Sequence, residues 1–346
     1  MKTGLKCFVL SLLLTVIACG SANKGITIVP DDAQRKVDIL YDGQLFTTYI
    51  YPLTLEKPVL FPIYTSKGTV ITRGFPLEPR PFERGDHPHH IGAWLNFGDV
   101  NGLDFWNNYE VPADKKQNFG SIRHRKVVNA QNGAKQGILG IEADWVDYTE
   151  KVLLKEETTF VFKGEGDWRL IDRTTKLTAQ REAVTFTDNK EGMIAIRMDR
   201  AFEEPLTRPD VLLDANGKPT TERTMNNDGV NGVYRNSEGL TKGDVWGKPT
   251  KWVCLSAEKN GEKISVAIID HKNNPGHPAH SHARGYGLFS TNNLGAQAFN
   301  PDAPQFKLTL NPGQSLTFKH LIVVKTGGFA TDEEMNRLFD CFNQNN

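Results

Sequence analysis

Apolar and polar residues alternate along most of this chain, and the period is two rather than 3.6. Val37-Asp-Ile-Leu-Tyr41 and Gln44-Leu-Phe-Thr-Thr-Tyr-Ile50 flank Asp42-Gly43. That pair tolerates the positive φ of a tight hairpin turn, so two paired strands are expected. Phe61–Tyr64 and Thr69–Thr72 flank a second turn at Ser66-Lys-Gly68, and long alternating runs cover Gly137–Tyr148, Val152–Phe162 and Trp168–Thr178. Shorter runs follow at Val184–Thr187, Met193–Met198, Ile264–Ile269, Phe306–Leu310 and Ser315–Val324. Roughly fifteen strands joined by turns, not helices, predict an all-β fold, a large antiparallel two-sheet β-sandwich.

Two segments depart from this period. Thr331-Asp-Glu-Glu334 is a capping box, and Met335, Leu338, Phe339 and Phe342 follow at i, i+3, i+4 and i+7, which predicts a short C-terminal helix packed on the sandwich. Residues 203–247, rich in Asp, Asn, Gly, Pro and Thr, show neither period. A loop of that length inside a compact domain is expected to be functional or partly disordered.

The N-terminus reads as a leader. Lys2 and Lys6 precede the apolar run Phe8–Ile17, which is too short to span a bilayer. Val16-Ile-Ala-Cys19 is close to a bacterial lipobox, and Gly20-Ser-Ala22 offers ordinary cleavage after Ala22. Residues 1–22 are thus expected to be a signal peptide, with Cys19 as the lipidated residue or with plain cleavage. Both readings place the protein in the periplasm or anchored at the outer membrane, in contact with membrane only through an N-terminal lipid anchor. Residues 25–346 suit a single domain.

Composition narrows the partners. Forty-one basic and 41 acidic residues give zero formal net charge, so electrostatic capture of nucleic acid is not expected, whereas a neutral ligand such as a sugar is compatible. Outside the leader, the cysteines are Cys254 and Cys341. Export permits a disulfide, but two cysteines do not make a framework.

Seven of the nine histidines fall in two stretches, Arg84-Gly-Asp-His-Pro-His-His-Ile-Gly-Ala-Trp94 and Asp270-His-Lys-Asn-Asn-Pro-Gly-His-Pro-Ala-His-Ser-His-Ala-Arg284. Histidine moves protons near neutral pH and is the commonest metal ligand. If the fold joins the stretches, they form a composite site. His89 and His90 precede a strand, with Arg84 as an anion clamp, Asp86 as an orienting carboxylate and Trp94 as a stacking platform. Asp270 and His271 end a strand, a frequent place for catalytic side chains. His277 joins them, and Arg284 can grip a carboxylate or a hydroxyl pair. His280 and His282 look like exposed loop residues. Glu191 sits at a strand entrance, and Arg197, inside an apolar strand, must meet a carboxylate or a ligand. Trp106 and Trp246 lie close in sequence to these segments. The catalytic candidates are therefore His89, His90, Glu191, Asp270 and His271; the substrate-binding candidates are Arg84, Trp94, Trp106, Arg197, Trp246, His277 and Arg284. No cofactor is expected. A divalent metal is possible, but three successive histidines of an extended chain cannot converge on one ion. Phosphate-loop, serine-elbow and zincin motifs are missing from the sequence.

These motifs, in order, resemble a bacterial domain family of unknown function labelled "methane oxygenase PmoA-like". The resemblance rests on His87-Pro-His-His-Ile-Gly-Ala-Trp94, Asn101-Gly-Leu-Asp-Phe-Trp106, Lys190-Glu-Gly-Met-Ile-Ala-Ile-Arg197, Trp246-Gly-Lys-Pro-Thr-Lys-Trp252, Asp270–Pro278 and Arg284-Gly-Tyr-Gly-Leu288. It departs at Ala279-His280, where the family usually has an aromatic residue. The label itself fits poorly, since a methane-oxidising subunit is a polytopic membrane protein and no segment after the leader is apolar enough to cross. The resemblance implies a sandwich similar to galactose mutarotase and an association with polysaccharide degradation. It points to a carbohydrate or glycoside ligand, handled by an enzyme of acid–base type (epimerase, lyase or hydrolase) or by a non-catalytic carbohydrate-binding lipoprotein. Oligomeric state is not legible.

Overall fold

The computed structural model describes residues 24–344; the expected signal peptide, with Cys7 and Cys19, lies outside the described residues. The fold is all-β, built on two antiparallel eight-stranded sheets. The first runs in spatial order Ile26–Asp31, Lys36–Tyr41, Gln44–Ile50, Val59–Ile63, Ala93–Leu95, Ile194–Arg197, Leu288–Asn292, His280–Arg284. The second runs Val233–Asn236, Trp252–Lys259, Glu262–Asp270, Ser315–Lys325, Trp168–Ala179, Val152–Glu165, Gln136–Asp147, Gly120–Gln131. The expected hairpin forms at Asp42-Gly43, both at positive φ (49° and 79°).

Alternation assigns each side chain a face. Ile39, Phe46, Leu95, Ile196 and Phe289 of the first sheet meet Phe160, Ile268 and Ile322 of the second in one continuous core. The outer face of the second sheet is covered by the C-terminal helix Asp332–Gln344, whose Met335, Leu338, Phe339 and Phe342 pack on Trp252, Ile269 and Leu321. Its capping box forms as expected: Thr331 N donates to Glu334 Oε2 at 2.8 Å, and Glu334 N to Thr331 Oγ1 at 3.2 Å. The outer face of the first sheet carries a separate cluster around Trp94, Trp106, Ala195 and Leu288, and the candidate site stands there.

Three expectations change. Thr69–Thr72 makes only isolated pairings, Tyr64 with Val70 and Thr72 with Met198. Segment 203–247 is more ordered than its composition suggests: Asp210–Leu213 and Pro219–Thr224 form a hairpin, and Val233–Asn236 adds an edge strand to the second sheet. His280–Arg284 is a strand, not an exposed loop. Cys254 is buried and Cys341 exposed, both free. Among the described residues no helix is long and apolar enough to cross a membrane.

Candidate functional site

Three adjacent strands bring the site together. Trp94 pairs across to Ala195, Ala195 to Ser290 and Ser290 to His282. One row on the outer face thus holds residues from both histidine stretches. The neighbouring row holds Arg197, Leu288 and Arg284. The loop 84–90 folds over this face. It can do so because Gly92 sits at φ +55°, where an added Cβ would meet Leu60 O at 2.2 Å. That close approach lets Arg197 N donate to Gly92 O at 2.9 Å.

An ionic knot fixes the loop. Arg73 and Arg197, 1% and 0% exposed, both donate to Asp86 Oδ1, at 2.8 and 2.7 Å. Arg73 also donates to the carbonyls of Arg84, Asp86, His87 and His90. Burial pushes the Asp86 carboxyl up, but Arg197, His87 and Arg73 together outweigh it and hold it well below the usual carboxylate range. Arg197 therefore meets a carboxylate, as its buried charge required. Arg84 is not a free anion clamp. Its Nε donates to Glu203 at 2.8 Å and its Nη1 to Asp210, tying the 203–213 segment to the loop.

The imidazoles of the first stretch are stacked. His87 lies parallel to His90 at 4.9 Å and to Tyr286 at 5.0 Å. His90 accepts from Trp106 Nε1 at 3.2 Å and faces Arg197 Nη1 at 3.4 Å. Accepting at Nε2, it carries its own proton on Nδ1, and burial with its charged neighbours drives its pKa far down. Burial, with Lys57 and His87 adding repulsion, lowers His89 to about 2. Trp94 and Trp106, 0% and 1% exposed, form the floor under these rings and are not open stacking platforms.

Beside this group stands the second half. His282 accepts from Arg284 Nε at 3.3 Å, and its Nδ1 lies 3.6 Å from Glu191 Oε2, with the Lys190 backbone near. Burial, then the Arg284 charge, pulls His282 down to about 3. Lys190 holds the other Glu191 oxygen at 3.0 Å. The Arg284 guanidinium lies over the Trp246 ring at 5.3 Å, and Trp246 meets Phe299 edge-on while His280 stacks on Phe299. Trp106 and His282 face each other at 6.5 Å, joining the halves. Several buried atoms here, among them His89 Nε2, Trp246 Nε1 and His282 Nδ1, have no hydrogen-bond partner among the described residues.

The rest of the second stretch goes elsewhere. Asp270 ends a strand of the second sheet and is 0% exposed. It accepts from Asn274 Nδ2, Asn293 Nδ2, Ala279 N and His277 Nδ1, the last at 2.6 Å. Its lone pairs are spent on pinning the 271–279 turn. His277 stacks on Phe339 and His271 meets Phe342 edge-on, both on the C-terminal helix. The two histidine stretches therefore join through His282 and Arg284, whereas Asp270, His271 and His277 belong to the second sheet.

The family model described as "Family of unknown function (DUF6807)" matches residues 36–340. The chain belongs to that family. No curated protein matches it in sequence. Among solved structures, the GH36 alpha-galactosidase AgaB from Geobacillus stearothermophilus is 12% identical with a TM-score of 0.41, over 87% of this chain and 41% of that one. A galactose mutarotase-like protein from Clostridium acetobutylicum is 10% identical with a TM-score of 0.37, over 88% and 98%. The GalM/aldose epimerase homologue from C. elegans is 12% identical with a TM-score of 0.28, over 88% and 99%. Scores and identities this low transfer neither site nor activity. This chain spans about two fifths of the alpha-galactosidase's length.

Sequence reasoning missed Lys57. It is 5% exposed, donates to His89 O at 2.8 Å and lies over Trp94 at 5.3 Å. Burial lowers it to about 7, with Asp104 and Glu56 resisting. Nothing in the local sequence marks it. Among the described residues, no group of three or more His, Cys, Asp or Glu is arranged to hold a metal ion.

Proposed function

We propose that the protein binds a neutral carbohydrate on the outer face of the first sheet and transforms it by proton transfer through Glu191, as an epimerase or lyase. The observation that carries this reading is the unmade contact between Glu191 Oε2 and His282 Nδ1, which at 3.6 Å is longer than a hydrogen bond. A ligand hydroxyl there satisfies both groups, and catalytic contacts of this kind tighten when substrate arrives. A polyhydroxylated ligand also satisfies the orphaned His89 Nε2 and Trp246 Nε1. Imidazoles held neutral by burial suit an uncharged ligand. A two-carboxylate glycosidase mechanism fits less well, because Asp86 is committed to Arg73 and Arg197 and Glu203 to Arg84.

In this reading Glu191 accepts the proton, His282 and Arg284 orient the sugar, and His89 holds a second hydroxyl. Glu191→Gln is expected to lower turnover on the responsive glycan by about a hundredfold or more while calorimetric binding persists. His271→Asn, on the other sheet, is expected to leave turnover unchanged. Equal losses in both variants would remove Glu191 from the chemistry. A specific observation favours a second reading, that of a carbohydrate-binding protein without catalysis: His89 and His282 are lowered to about 2 and 3, so neither is held as an imidazolium that could act as a general acid at neutral pH. Saturable binding with no product from any glycan of a broad panel would establish it.

The proposed chemistry runs without metal. Dialysis against a chelator is expected to leave turnover intact, and stoichiometric metal whose removal silences the protein would overturn that. Export also belongs to the proposal, with Cys19 as lipid acceptor. Incorporation of labelled palmitate, lost in Cys19→Ala, is the expected result.

A further inference from the structure

A cavity of about 420 Å³ opens next to the aromatic floor of the site, walled partly by Leu55 and Lys57, both in contact with that floor. Its other polar walls are Arg35, Arg123, Arg125, Tyr51, His124 and Glu150. Four cationic side chains thus face one carboxylate. Behind the wall Glu56 pairs with Arg123 at 2.9 Å and Asp144 with Arg125 at 2.7 Å, while Glu150 reaches Arg123 at 3.4 Å. Among the described residues, Arg35 and Lys57 form no ion pair with a carboxylate. The Arg35 side chain makes no hydrogen bond or ion pair among the described residues, yet its charge bears on both Tyr51 and His124. Those two rings stack at 3.8 Å and 30°, a flat wall beside the cations. The Tyr51 hydroxyl and His124 Nδ1 are turned to Asp32 and Tyr49 respectively.

We propose that this cavity is a second ligand site, selective for a carboxylate-bearing monosaccharide unit such as a uronate. The volume suits a single sugar ring. A guanidinium fork grips a carboxylate in two parallel hydrogen bonds, and Arg35 is the one cation in the wall with its fork free. An anion here also favours the charged form of buried Lys57, which among the described residues hydrogen-bonds only to a carbonyl. The cavity's cationic surplus contrasts with the neutral imidazoles of the first site, so the two sites favour different units of a mixed glycan.

Calorimetry with the full chain tests this using glucuronate, glucose and sodium sulfate. Glucuronate is expected to bind, glucose not, and Arg35→Ala to weaken glucuronate at least about tenfold, the loss of one charge-assisted contact. Arg35 is exposed and otherwise unbonded, so this variant keeps its fold, verified by an unchanged melting temperature. Glucuronate binding is expected to persist in Glu191→Gln, which separates this site from the proposed catalytic one. Failure of glucuronate to bind, equal binding of glucose, undiminished binding to Arg35→Ala, or loss in Glu191→Gln would each overturn the proposal. An equal response to sulfate would reduce it to an adventitious ion only.

Discussion

Replacing Asp86 by asparagine is expected to cost the fold about 3–5 kcal/mol, the usual penalty for leaving a buried charge without its partner. Arg73 and Arg197 share one oxygen of this carboxylate and are 1% and 0% exposed. Their fates differ. Arg73 keeps four backbone carbonyls around its guanidinium. Arg197 keeps only the Tyr286 ring at 4.7 Å and the long approach to His90. Most of the cost therefore falls on Arg197. The loop 84–90 should loosen with it, taking the His87–His90 stack along. Urea melts of wild type and Asp86→Asn measure the difference. A change under about 1 kcal/mol, the scale of one ordinary hydrogen bond, would show that carbonyls and rings alone satisfy both arginines.

How much of this was legible in sequence depends on whether one face of an element was wet. Val152–Glu165 alternates buried with mostly exposed positions and Trp168–Ala179 buried with half-buried ones, so period two is plain. The C-terminal helix was legible for the same reason. The strands of the site are buried on both faces, because the loop 84–90 and Trp106 cover the outer side. Ala93–Leu95 and Leu288–Asn292 are buried at every position, and burial on both faces erases the hydrophobic period. His280-Ser-His-Ala-Arg284 did carry a signal. Its large polar residues alternate with small ones, and Ala283 indeed faces the inter-sheet core. Histidines at alternate positions read as surface loop only while polarity is taken to mean exposure. The grouping of Asp270 and His271 with His89 failed for a topological reason. The strand Glu262–Asp270 lies in the second sheet and the strand after it in the first, so a stretch contiguous in sequence is divided between sheets. Lys57 left no mark, because its burial comes from Trp94 and the distant 89 carbonyl.

Lowering the pH from 7 to 5 is expected to destabilise the protein steeply, by about 4 kcal/mol per pH unit once the pH is well below the unfolded histidine pKa near 6.5. His90, His282 and His320 are 2%, 1% and 0% exposed. Burial lowers all three: His90 far down, His282 to about 3, and His320 to about 4 despite the nearby Asp270. Their folded pKa values lie below the unfolded one. Between the two, the unfolded chain binds one proton at each of these three sites that the native state refuses, and His89, lowered to about 2, and His124, lowered to about 4, add to that minimum. Stability is then full above about pH 7 and falls as pH drops through the unfolded pKa, at about 1.4 kcal/mol per unit for each imidazole. Asp86 and Asp270, both lowered, act in the same sense but only in stronger acid. Glu203, raised by burial, works the other way. Since a domain has only about 5–15 kcal/mol in total, acid unfolding is expected within roughly two pH units of the onset. Urea unfolding free energies at pH 7, 6 and 5 measure the slope, and His320→Gln should reduce it by one proton's worth. Stability that stays flat across that range would mean these imidazoles reach water or a partner when protonated, and the packed, neutral stack would not be the native state in solution.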